Sequence, residues 1–163
     1  MASKFKIPFS GIATNYFTVG YNHSYLGQMF MFPYNQQVQQ IGFLMTESVC
    51  NITLTVMGNN NNLPNQNYIL SIGTITTPSV PSGQYFNYIS TNFYATANTK
   101  YWATIKVNSG RGKFYNTFIK GQLSDASAYM YNNEVMYWCW QNQYSQIQGP
   151  FSKNPFYIDV ICS

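Results

Sequence analysis

The sequence predicts an all-β protein, an antiparallel sandwich with little or no helix. Three observations predict it. Of the 163 residues 18% are aromatic, including 15 Tyr and 12 Phe, whereas only 7% are charged; aromatic and β-branched side chains suit pleated, half-buried surfaces. Apolar residues recur at every second position in many short runs, and nowhere at three and four over several helical turns. Turn-forming Asn, Gly, Pro and Ser separate those runs.

The clearest run is Ala97 to Val107, a polar turn leading into an alternating strand. Tyr101, Ala103, Ile105 and Val107 fall on one face, with Trp102, Thr104 and Lys106 on the other. One face can therefore cover a core while the other meets water.

Taken in order, residues 1–26 read as an N-terminal strand or arm, and residues 27–163 as a single sandwich domain. Phe5, Ile7 and Phe9 alternate, and Ile12 to Val19 has strand character, with Pro8 and Gly11 breaking any long element. As an arm, Phe5, Ile7, Phe9 and Ile12 would dock on a neighbouring subunit. As an ordinary first strand, they would join this chain's own sheet.

Gly27 to Phe32 is apolar on both faces and ends at Pro33. Val38 to Met45 directs Ile41, Phe43 and Met45 inward, and Asn51 to Met57 sets Ile52, Leu54 and Val56 against Thr53 and Thr55. The asparagine run from Asn59 to Asn62, with Leu63-Pro64-Asn65 after it, reads as a polar loop. Tyr68 to Ile75 is the next strand, closed by Pro78, Pro81 and Gly83, and Gln84 to Phe93 precedes the strand at 100–108. Ser109-Gly-Arg-Gly112 is a hairpin turn into Lys113 to Ile119. Further strands are expected at Ala128 to Tyr131, Val135 to Trp140 and Phe156 to Ile161, with Asn142 to Asn154 as loop. Short strands at even spacing, with turns between them, suit a sandwich or jelly roll.

Several function classes fit poorly. The net charge is +4, but the eight Lys and Arg are scattered, and a nucleic-acid binder clusters them on one face. No specific nucleic-acid partner is expected. The basic start Met1 to Lys6 lacks an apolar segment behind it, and no stretch approaches the length of a membrane span. The expectation is a chain made in the cytoplasm without a signal peptide.

Cys50, Cys139 and Cys162 lack the paired spacing zinc requires, and His23 is the only histidine. Buried small hydrophobes, or a disulfide between two of the three, are both open readings. Neither metal nor cofactor is expected. Catalysis is not expected either: the Gly-x-Ser-x-Gly, phosphate-loop and His-Glu-x-x-His motifs are missing. The acids are Glu47, Asp125, Glu134 and Asp159, so a hydrolase would have to pair Glu134 with Glu47 or Asp125. So few carboxylates also predict stability that changes little between neutral and mildly acid pH.

Two non-enzymatic readings remain. Aromatic faces stack on sugar rings and amides satisfy hydroxyls from both ends. Trp138, Trp140 and Tyr144, with Gln141, Asn142 and Gln143 among them, have that chemistry. Against it, Trp138 and Trp140 lie two residues apart on one strand face and would serve equally as core. The other reading is assembly: a surface rich in Tyr, Asn and Gln but poor in Lys and Glu has the composition of an interface, and low charge removes repulsion between copies. Asn22-His-Ser24 and Asn51-Ile-Thr53 match the glycosylation pattern, read as chance in an Asn-rich chain.

A series of features follows in one order: Gly27-Gln-x-Phe30, a strand ending at Phe43, Ile52-Thr-Leu-Thr-Val56, loops at Pro64 and Pro81-Ser-Gly83, an aromatic strand, Asn98-Thr-Lys-Tyr-Trp102, Tyr129 and a late Trp. This order resembles jelly-roll β-sandwich domains of phage and archaeal virus structural proteins and of microbial surface appendages, whose relatives include carbohydrate-binding modules. It spans roughly residues 27 to 161. The resemblance implies a virion structural protein such as a capsid, turret, spike or fibre subunit, partnered by copies of itself and other virion proteins. The alternative it implies is a carbohydrate-binding or adhesion module that engages host surface glycans. Many such domains carry structural calcium, which wants several carboxylate oxygens; the scarcity of Asp here argues against it.

Overall fold

A computed structural model describes residues 1–7, 15–20, 23–46, 49–77, 84–117 and 130–163. Among them are fourteen strands and no helix. The strands form two large antiparallel sheets and one small hairpin.

In the first sheet, β4 (Gln36–Thr46) is central. One edge pairs along its whole length with β7 (Gln84–Ala95). The other edge pairs first with β14 (Ile158–Cys162) and then, at Met45 and Thr46, with β9 (Gly112–Asn116). Outside these lie β1 (Ala2–Lys6) on β14 and β2 (Asn15–Val19) on β9. The second sheet runs β13 (Ile147–Phe151), β12 (Trp138–Asn142), β3 (His23–Phe30), β8 (Tyr101–Ser109), β5 (Asn51–Asn60) and β6 (Leu63–Thr76). β10 (Met130–Tyr131) and β11 (Glu134–Val135) make the separate hairpin.

Eight of these strands pair as nested hairpins: β1 with β14, β3 with β8, β4 with β7, and β5 with β6. The chain thus folds back on itself as one long antiparallel ribbon wound into two layers. Period-two burial produces the core. Phe5, Val38, Ile41, Phe43, Ile89, Phe93 and Val160 from the first sheet meet Leu26, Phe30, Leu54, Val56 and Ile105 from the second, all buried in one cluster. Gln28 is a buried amide in this apolar layer, and it is satisfied: its Oε1 accepts from the Phe156 N–H at 2.8 Å and its Nε2 donates to the Tyr137 carbonyl at 3.2 Å. Along one side the sheets close on each other. A Cβ at Gly73 of β6 would lie 2.6 Å from the Ser90 carbonyl oxygen of β7, so only glycine permits this approach.

Several expectations are corrected. Phe5 and Ile7 are each 1% exposed inside this chain's own core, and β1 pairs with this chain's β14. Ala2–Lys6 is therefore an edge strand of this chain's own sheet, continued by the Ile7 N–H bond to the Ile158 carbonyl; Phe9 and Ile12 lie outside the described residues. β3 begins at His23, across the expected domain boundary at 26/27. The expected loop at 142–154 contains β13, and the expected strand from Val135 to Trp140 is split between β11 and β12. In β8 the alternation holds, but Trp102 and Thr104 on the second face are buried too. Gly27 opposite them leaves the space they fill, since a Cβ there would sit 3.2 Å from the Trp102 ring and 3.3 Å from the Cys139 sulfur.

Candidate functional site

The two tryptophans of β12, expected to stack on sugar, are half-buried and pack on aromatic rings of this chain. Trp138 and Trp140 do share a face, on which both meet the Phe17 ring of β2. The Trp138 ring lies 4.5 Å from Phe151 and 5.1 Å from Phe156, and its Nε1–H donates to the Lys153 carbonyl at 2.6 Å. Trp140 packs against Phe17 and His23, each 5.6 Å away. Burial pulls the His23 pKa below its ordinary value.

The amides are committed as well. Gln141 is buried and donates to the Ser145 carbonyl. Asn142 holds the β12–β13 turn, its Oδ1 accepting from the Tyr144 and Gln146 N–H groups and its Nδ2 donating to Gln146. Only Tyr144 projects into solvent, 75% exposed. The five residues are neighbours in sequence but do not form one open aromatic platform.

The three thiols are free and buried. Burial raises all of them, Cys139 to about 12 and Cys162 to about 11, which leaves them as small apolar fillers. Among the described residues no group of three His, Cys, Asp or Glu could hold a metal. The two described carboxylates are both engaged. Glu134 pairs with Lys100 at 3.1 Å. Asp159, 3% exposed, accepts from the Ser3 hydroxyl and from the Tyr88 hydroxyl at 2.6 Å. Glu47 and Asp125 lie outside the described residues.

A different surface stands out: the outer face of the first sheet. The outward positions of a sandwich strand are normally polar. Here a line of apolar side chains crosses the sheet on that face. Tyr16 of β2 lies opposite Tyr115 of β9; Tyr157 donates its N–H to the Tyr115 carbonyl; Leu44 of β4 donates to the Tyr157 carbonyl; Phe86 of β7 lies opposite Leu44. Leu44 and Tyr115 are buried as a second small cluster, with Phe86 and Tyr157 packed on them.

Next to this line Tyr88 lies across from Gly42, whose missing side chain makes room for its ring: a Cβ there would be 2.7 Å away. The hydroxyl of Tyr88 reaches Asp159, and burial together with that carboxylate raises its pKa to about 12. Lys6 sits 5.2 Å over the Phe86 ring and Lys113 4.9 Å over Tyr16. Tyr16 and Tyr88 remain 45% and 39% exposed. Further along β7 the outward Tyr94 is 60% exposed.

Comparisons with protein-family models, curated proteins and solved structures gave no match. The chemistry of this surface must therefore speak for itself. It can desolvate flat aromatic area, exchange cation–π contacts and offer tyrosine hydroxyls to a partner. Sequence reasoning passed over it because its members come from four strands, β2, β9, β4 and β7, and from Tyr157 just before β14. One signal was present: β4 reads Ile41, Phe43 and Met45 on one face, and Leu44 breaks the alternation on the other.

Proposed function

We propose that this chain is a non-enzymatic virion structural subunit of jelly-roll type, which assembles with copies of itself and with other virion proteins. The jelly-roll part of the reading is supported by the nested pairing of β1·β14, β3·β8, β4·β7 and β5·β6, a ribbon of hairpins rolled into two sheets. The virion part rests on fold analogy, joined to the surface that carries the mechanism.

That surface is the outer face of the first sheet, and it is the single observation on which the proposal stands. Tyr16, Tyr115, Tyr157, Leu44, Phe86 and Tyr88 put aromatic area where a lone sandwich would place polar side chains. Interfaces are enriched in aromatic residues and depleted of charge at their centre. Among the described residues the charged group near the centre, Asp159, is already covered by two hydroxyls, and the cations Lys6 and Lys113 lie over rings. Docking this face on a second copy buries apolar area without stranding a bare charge.

Analytical ultracentrifugation tests the reading. The wild-type chain is expected to sediment as an oligomer or larger assembly. The double substitution Tyr16→Glu and Tyr88→Glu should release folded monomer. A wild-type chain that stays monomeric, or a double variant that assembles unchanged, contradicts the proposal.

A further inference from the structure

Away from that face, the β5–β6 hairpin and the β7–β8 turn enclose a cavity of about 410 Å³ lined by Gly58, Asn59, Tyr68, Thr96 and residues 98–101. It is built around an aiming device. In the β5–β6 ladder Gly58 faces Asn65 while the preceding Met57 faces Ile69, so residues 66–68 bulge out of the pairing. Bulges of this kind redirect side chains. Asn65 supports this one by accepting the Asn67 N–H through its Oδ1 at 3.1 Å. The redirected ring of Tyr68 takes up the place of a side chain at Gly58, where a Cβ would lie 2.3 Å from it. Tyr68 nevertheless remains 56% exposed: its ring is supported by the backbone on one side and open on the other.

The polar groups around the ring are oriented and incompletely used. Asn59 accepts the Trp102 Nε1–H through Oδ1 at 2.9 Å, which fixes its amide and leaves the Nδ2 donors with no partner among the described residues. Asn98 sits at φ 56° in the turn, held by its N–H to the Phe32 carbonyl at 2.7 Å, and accepts from Asn132 through Oδ1, so its Nδ2 is likewise available. Thr96 and Thr99 add hydroxyls at the wall. The positive charge of Lys100 is balanced by Glu134 at 3.1 Å and solvated by Asn62 at 3.3 Å.

We propose that this cavity is a binding site for a neutral mono- or disaccharide. The Tyr68 ring would stack on the C–H face of a sugar, and the fixed Asn59 and Asn98 amides would donate to its hydroxyls. A volume at the lower end of the range for small-ligand pockets suits one or two sugar rings. The compensated charge of Lys100 disfavours acidic sugars, which would have to compete with Glu134. The inference is independent of assembly through the outer face of the first sheet.

The test is a titration followed by amide NMR, with glucose, galactose, mannose, N-acetylglucosamine and their β-linked disaccharides as probes and N-acetylneuraminic acid as the charged comparison. At least one neutral sugar is expected to shift the Gly58 amide and the Trp102 indole N–H saturably. Tyr68→Ala, at an exposed position, should weaken that binding about five- to tenfold, the scale of one stacking contact. Asn98→Gly, which keeps the turn conformation, should weaken it as well. The spectrum of each variant reports its own folding. A panel with no binder, binding of the acidic sugar alone, or a titration unchanged by both substitutions overturns the proposal.

Discussion

Asn61 and Asn62 occupy the two central positions of the β5–β6 hairpin, at φ values of 52° and 61°, and Asn132 and Asn133 do the same for β10–β11 at 51° and 62°. A two-residue turn with positive φ at both positions matches the twist of its flanking strands, and asparagine tolerates that conformation better than other residues with a side chain. The asparagine content is thus partly a turn vocabulary: among the described residues, all non-glycine positive-φ positions but Ser145 are Asn. Asn61→Ala should lower stability by about 1 kcal/mol, while Asn61→Gly should leave it nearly unchanged, both read from urea unfolding midpoints. The run at 59–62 was legible as a turn signal, but its first two residues belong to β5. Local chemistry marks the turn, whereas pairing decides where the ladder stops. The tryptophans were legible only as aromatic. Stacking on sugar and stacking on phenylalanine ask the same thing of an indole, and the rings of Phe17, Phe151 and Phe156 that pack on these two come from other parts of the chain.

At the scale of elements, period-two alternation placed β4, β5, β7 and β8 close to their observed bounds, because each has a continuous apolar face on the core. β13 was missed for the opposite reason. It is an edge strand whose side chains are mostly exposed and which carries Pro150, tolerated only where no neighbour needs the N–H. β1 shows a further limit. The alternation of Phe5 and Ile7 was visible, but alternation cannot say which chain a strand pairs with. The observed burial turns this into a prediction: Phe5→Ala should destabilise the monomer by about 3 kcal/mol, measured by chemical denaturation. An unchanged unfolding midpoint would restore the reading of this segment as an arm. The outer-face line and the Tyr68 cavity were the least legible, since the first joins four strands and Tyr157 and the second depends on a bulge that only the β5–β6 register reveals.

For the whole molecule, the sparse charge governs the response to pH. On the acid side His23 is the one described group whose pKa is moved below its ordinary value, so stability should decline only gently below about pH 6.5. The alkaline side differs. Tyr25, Tyr88 and Cys139 are raised to about 12 and Cys162 to about 11, chiefly by burial. The folded chain keeps protons on these groups that the unfolded chain releases from about pH 9 upward. Their contribution is therefore fully present below that pH and is lost as pH rises towards the folded values. Melting temperatures should stay nearly level from pH 7 to 9 and then fall steeply to pH 11; a level profile across the alkaline range would contradict the burial of these hydroxyls and thiols.

The proposed assembly also belongs to this scale, because two tight layers leave the outer aromatic face of the first sheet as the surface that a monomer has no use for. Its most direct test is tyrosine modification read by mass spectrometry at high and low protein concentration. Tyr34 and Tyr144, 72% and 75% exposed and away from that face, serve as internal references. The account predicts that Tyr16 and Tyr88 are protected at high concentration and become reactive on dilution, while Tyr34 and Tyr144 react equally in both. Equal reactivity of Tyr16 and Tyr88 at the two concentrations would contradict it.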